Sequence, residues 1–216
     1  MPKFIIALAL SLTFNNIKAQ LVVVDTFNSS NINDLAQTLV GSGVEILNVQ
    51  YQCDDKGLGT FNGNSSNIGI NEGIILTSGY AATAVGPNNM SGSGDDLLRA
   101  GDAQIDQITA PNTSQDACVL EFDFIPDGDT IKFNYVFGSE EYPEFVNAGF
   151  NDAFAFFING PGVPLQNIAL IPNTSIPVTI DNVNNGAGNI GPCQNCTYYV
   201  NNGEGMTPNI NTSVQY

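Results

Sequence analysis

Two stretches in the middle of the chain alternate so strictly that they commit it to β-structure. From Cys118 to Phe124, Cys118, Leu120, Phe122 and Phe124 face one way while Glu121 and Asp123 face the other. From Thr130 to Phe137 the pattern repeats, with Ile131, Phe133, Tyr135 and Phe137 on one side and Lys132 and Asn134 on the opposite side. A period of two is the signature of a strand with one buried face. Pro126-Asp127-Gly128-Asp129 supplies turn residues between the runs, so they predict an antiparallel hairpin.

The remaining elements fit the same class. Leu21–Val24, Val44–Tyr51, Ala153–Ile158, Asn167–Ile171, Ile176–Ile180 and Thr197–Val200 read as short strands. Pro161 and Pro164 separate the third of these from the fourth. Gly73-Ile74-Ile75-Leu76-Thr77-Ser78-Gly79 is a continuous apolar run bounded by glycine, the pattern of a strand covered on both sides. One helix is expected, from about Asn33 to Val40, after the cap candidates Ser29, Ser30 and Asn31 and before Gly41 and Gly43. Many short strands, one short N-terminal helix and turns rich in Gly, Asn and Pro predict an all-β, jelly-roll-like antiparallel β-sandwich.

The N-terminus reads as a processing signal. Lys3 precedes an apolar stretch from Phe4 to Phe14, and Ala19 places a small residue before a cleavage point. A membrane-spanning helix needs roughly twenty apolar residues, so this stretch is too short to span. Residues 1–19 are therefore expected to be a signal peptide, and residues 20–216 a single secreted or surface domain without membrane insertion. The last residues, Val214-Gln215-Tyr216, read as the start of a strand, which suggests a domain truncated at its C-terminus within a larger modular protein.

Charge then narrows the partners. The chain has 21 carboxylates, five Lys and Arg, and a formal net charge of −16. Lys3 and Lys18 leave with the signal, so Lys56, Arg99 and Lys132 are the only cations of the mature piece. Such a field repels nucleic acid and attracts divalent cations or basic partners. Histidine is absent, which removes Ser-His-Asp triads, Cys-His dyads and histidine zinc sites. In an exported chain the four cysteines Cys53, Cys118, Cys193 and Cys196 are disulfide candidates with three possible full pairings. Cys193-Gln194-Asn195-Cys196 has redox spacing but loop-like surroundings, which favours a structural bridge, while Cys118 suits either a buried thiol or a bridge into the core.

The candidate site lies between two aromatic strands. Glu140, Glu141 and Glu144 follow the strand ending at Phe137, and Asn151-Asp152 precedes the next. If the strands pair or stack, these oxygens gather at one rim. Calcium takes six to eight oxygen ligands, and loop clusters of this kind supply them. A Ca²⁺ site built on Glu140, Glu141 and Asp152, with Asn151 and Glu144 beside them, is the expectation. The alternative is that Glu140 and Glu141 accept backbone amides and brace Tyr142-Pro143. Asp95-Asp96 reads as ordinary surface charge. A Ca²⁺-dependent carbohydrate-binding module is a second functional reading. A glycosidase using Glu121 with Glu140 or Glu141, about 5 to 9.5 Å apart, is a third, although no tryptophan is present to stack on a sugar.

The run Tyr135-Val136-Phe137-Gly138-Ser139-Glu140-Glu141-Tyr142-Pro143-Glu144-Phe145, with Asn151–Ile158 behind it, resembles the choice-of-anchor L domain family. Gly73–Gly79 and Leu120–Pro126 match the family's earlier blocks, and the likeness extends from about Val44 to Tyr216. The resemblance implies a non-catalytic module of secreted and surface proteins of Bacteroidetes and other bacteria. It also implies tethering by varied C-terminal signals, often those of the type IX secretion route associated with gliding and adhesion, with a glycan or protein ligand left open. Members of the family continue beyond the position of Tyr216 with further strands.

Overall fold

The computed structural model describes residues 21–41, 43–86 and 94–201, and the backbone of 212–215. The expected signal peptide lies outside the described residues. Among the described residues the strands pair antiparallel and fall into five small sheets of two or three strands each. The all-β expectation therefore holds in its broad form, while the pairings differ from those the alternation suggested.

In the N-terminal half, β1 (Val22–Val24), β3 (Leu58–Asn62) and β4 (Glu72–Leu76) form one sheet in the order β1-β3-β4. Among the described residues β4 is an edge strand beside β3, and its residues are half-buried or exposed, so its two faces are not both covered. Helix α1 (Ile32–Gln37) buries Ile32, Leu35 and Ala36 and exposes Asn33 and Asp34, the face that its apolar spacing dictates. β2 (Glu45–Gln52) pairs with β5 (Val119–Ile125), from Glu45 opposite Ile125 to Gln52 opposite Val119. The register slips between Leu47 and Gln50, where Asn48 sits at φ 52°. This bulge accounts for the imperfect alternation around Val49, and the Asn48 amide crosses the sheet to donate to Asp123 at 2.6 Å.

The expected hairpin of 118–124 with 130–137 is not formed. β5 goes to β2, and the Cys53–Cys118 disulfide fastens the two strands where they meet. Alternation declares which face is buried but not which strand lies alongside. Of the second run, β6 (Val136–Gly138) enters a sheet, against β12 (Thr212–Gln215), and residues 131–134 lie outside the ladders among the described residues. β12 lies between β6 and β11 (Tyr199–Val200).

A second helix, α2 (Ala103–Thr109), corrects the expectation of one. Asp102 caps it by accepting from the Gln104 and Ile105 amides at 2.8 and 3.1 Å. The 153–158 run divides into β7 (Ala153–Phe154) and β8 (Phe157–Gly160). β8 turns at Pro161-Gly162 into β9 (Val163–Asn167), so Pro164 stands inside a strand where a break was expected. That strand is an edge, where a missing N–H is tolerated. β7 pairs with β10 (Val178–Thr179).

Two apolar clusters hold these pieces. One joins Ile32, Leu35, Cys53 and Leu58 beneath β2, β4 and β5. The other joins Phe137, Tyr142, Val146, Ile171, Val178, Ile180 and Val183. The acidic segment rides on the second.

Candidate acidic rim

Ser139, Tyr142 and Val146 are buried between the acidic positions, so the loop after β6 is pinned from inside, with Glu140 and Glu141 half-buried and Glu144 exposed. Tyr142 is fully buried and its hydroxyl donates to the Val183 carbonyl at 2.5 Å. The Phe145 amide donates to the Glu141 carbonyl at 3.0 Å and the Gly188 amide to the Pro143 carbonyl at 3.1 Å. The tyrosine hydroxyl and the backbone thus brace Tyr142-Pro143, while the Glu140 carboxylate accepts from its own backbone amide.

Ser139 carries the key contact. Its hydroxyl donates to Asp152 Oδ2 at 2.7 Å and accepts from the Glu141 amide at 3.0 Å. One side chain therefore fixes the two acidic segments against each other. The Asp152 carbonyl also accepts from Ile180, at 3.0 Å. Asn151 turns inward instead, its Oδ1 accepting from the Asp181 amide at 3.2 Å. Asp181 in turn accepts from the Asn147 amide at 2.6 Å.

The electrostatics show which groups share a space. Burial raises the proton affinity of Glu140, and repulsion from Asp152 and Asp95 adds to it. Burial, then Asp152, Glu140 and Glu144, push Glu141 up to about 7. Asp152 is also raised by burial, offset in part by its bond from Ser139. Glu140, Glu141 and Asp152 thus lie near enough to repel one another, with Glu144 exposed at the margin. Asp95, read from sequence as plain surface charge, belongs to the same group. Its Oδ2 accepts from Thr83 at 3.2 Å. Next to it, Gly94 has no side chain where the Glu140 carboxylate rests; a Cβ there would collide with Oε1. The Gly-Ser loop before Asp95 was the available signal, since glycine permits that close approach.

As the side chains stand, no group of three or more acidic or cysteine residues among the described residues is arranged to hold a metal ion. Glu121 belongs elsewhere: it stands on β5 opposite Gln50, over the other apolar cluster. All four cysteines are bridged, Cys53 to Cys118 and Cys193 to Cys196. This selects the core-bridge alternative for Cys118 and makes the CxxC a local staple.

Among the described residues no helix is long and apolar enough to cross a membrane. No curated protein and no solved structure matches this chain. The family description "Choice-of-anchor L domain" matches residues 23–216. That family is one of surface or secreted modules of bacterial proteins and is not a catalytic one. With the match spanning nearly all of the sequence, the chain belongs to the choice-of-anchor L domain family.

Proposed function

We propose that the chain is an exported, non-catalytic adhesion or display module, routed outward by a signal peptide at residues 1–19 and stiffened by Ca²⁺ at the acidic rim. The strands would complete a jelly-roll-like sandwich, and the rim would form one tip of it. The observation that carries the cation reading is the crowding of Glu140, Glu141 and Asp152, joined by Asp95, around a buried serine. Like charges gathered away from water cost free energy until protons or a cation neutralise them. An extracellular protein meets Ca²⁺ constantly, and hard carboxylate oxygens are the ligands that it prefers.

Thermal melting of the mature chain in millimolar Ca²⁺ and in chelator tests this reading. Binding at one hundred times Kd adds about 2.7 kcal/mol. For a chain of this size that corresponds to a rise of about 5–10 °C in the midpoint. An unchanged midpoint rejects the cation while leaving the family assignment intact.

A further inference from the structure

We infer that the Cys193–Cys196 bridge is a reversible thiol–disulfide exchange site for a partner protein that carries two neighbouring thiols. The two bridges of the chain differ in access. Cys53 is 7% exposed and lies in the first apolar cluster with Ile32, Leu35 and Leu58, and its bridge runs to half-buried Cys118. Cys193 is exposed and Cys196 half-buried, in a loop with Pro192, Gln194 and Thr197 also exposed. Exchange begins when a thiolate reaches a disulfide sulfur, so access separates the two bridges.

The loop does not depend on sulfur for its shape. Both residues between the cysteines are tied to the segment 182–184. The Gln194 amide donates to the Asn184 carbonyl at 3.0 Å, and the Asn184 amide donates to the Gln194 carbonyl at 2.8 Å. Asn184 is itself fully buried, with its Nδ2 donating to the Ile180 carbonyl at 2.8 Å. Asn195 Nδ2 donates to the Asn182 carbonyl at 2.8 Å, and the Tyr198 amide to the Asn195 carbonyl at 3.0 Å. None of these bonds uses a sulfur, so opening the bridge leaves them in place. The cysteines are 3 residues apart in sequence, and constraint on the unfolded chain is small for so short a loop. The two thiols therefore stay neighbours in a folded chain, and the bridge can close again.

That proximity selects the partner. The incoming thiolate attacks the exposed Cys193 sulfur, the Cys193–Cys196 bond breaks, and Cys196 leaves as a thiolate that takes up a proton. Against a single thiol, Cys196 is held close enough to attack back and expel the newcomer. A second thiol on the incoming molecule competes with that return. It loses its proton, closes the donor's own disulfide and releases Cys193, which takes up the proton. Two electrons and two protons thus pass from the dithiol to the chain, with no further oxidant or reductant. In a protein such a pair is a CxxC dithiol, the spacing that Cys193 and Cys196 themselves have.

Reduced thioredoxin, dithiothreitol and glutathione test the inference on the folded mature chain, each reaction quenched with iodoacetamide and mapped by peptide mass spectrometry. Thioredoxin and dithiothreitol are expected to expose Cys193 and Cys196 at least about tenfold faster than Cys53 and Cys118. The chain opened at that one bridge should still melt cooperatively, and oxidised glutathione should restore the same pair. Reduced glutathione is expected to remain attached to fewer than about a tenth of the chains, because Cys196 expels it. Equal rates at the two bridges overturn the inference, as does opening that occurs only in denaturant. Loss of cooperative melting on opening Cys193–Cys196 alone would also overturn it, by making the bridge a structural requirement. Opening by dithiothreitol but not by thioredoxin rejects a protein partner, and a stable glutathione adduct at Cys193 rejects the dithiol in favour of a small single thiol. None of these results depends on a cation at the rim.

Discussion

The Ser139 hydroxyl and the Asp152 carboxylate, thirteen residues apart in sequence, meet at 2.7 Å. This bond aligns the end of β6 with the start of β7, and the serine oxygen at the same time receives the Glu141 amide. Ser139 is 6% exposed, so water does not readily replace what it supplies. Ser139→Ala leaves a buried carboxylate without its donor and an amide without its acceptor, a loss of about 1–3 kcal/mol. Urea unfolding in chelator measures it; a change within about 0.5 kcal/mol, the usual range for surface substitutions, would show that the bond is not a structural one.

Tyr142→Phe makes a parallel test on the inner side of the loop. The ring's packing against the second cluster is kept, and only the hydroxyl that reaches the Val183 carbonyl is removed. The orphaned carbonyl predicts a destabilisation of about 1–3 kcal/mol. Hydrogen exchange should rise at 139–146 and at 180–184 together, because the hydroxyl is what ties them. Exchange rising in one segment alone contradicts that coupling.

The two disulfides are expected to differ. Cys53–Cys118 closes a separation of 65 residues and Cys193–Cys196 one of 3. Constraint on the unfolded chain grows with loop length, which puts the first at about 4 kcal/mol and the second well below it. Paired Cys→Ala variants compared by denaturant midpoint check the order, and equal losses would refute it.

Without calcium, stability should fall as pH rises from about 4.5 toward 7. Glu141 is raised from 4.5 to about 7 in the folded state, so the fold binds this proton more tightly than the unfolded chain does. The resulting stabilisation is complete below the unfolded value and disappears as pH passes the folded one. Glu140 and Asp152 shift in the same direction. Asp54 and Asp106 are lowered from 3.8 and act in the opposite sense only in more acid solution. Urea midpoints in chelator at pH 5 and 7.5 should therefore decline, and Glu141→Gln should flatten the decline. A midpoint that climbs across this window contradicts the placement of Glu141.

What the residues disclosed, and what they withheld, follows from range. Cys118–Phe124 announced a strand with a buried face, and Glu140, Glu141 and Asp152 announced a shared rim; both depend on local spacing and polarity. The partner of β5 was not legible, because Cys53 and β2 lie far back in the chain and the nearby Pro126–Asp129 turn favoured a neighbour. Helix α2 had a readable start at Asp102 with Ile105 and Ile108 on one face, but at seven residues its period is barely expressed. Asp95 joined the rim only because Gly94 admits the Glu140 carboxylate, a three-dimensional coincidence with no sequence period behind it. Pro164 misled because a strand edge tolerates what a strand centre does not.

Calorimetric titration of CaCl₂ into the metal-stripped mature chain is the most direct test of the rim. The account predicts saturable heat with one ion per chain, lost when Asp152→Asn removes a carboxylate and weakened at least tenfold by Glu141→Gln. Dilution heat alone, or a wild-type isotherm in Asp152→Asn, would contradict it.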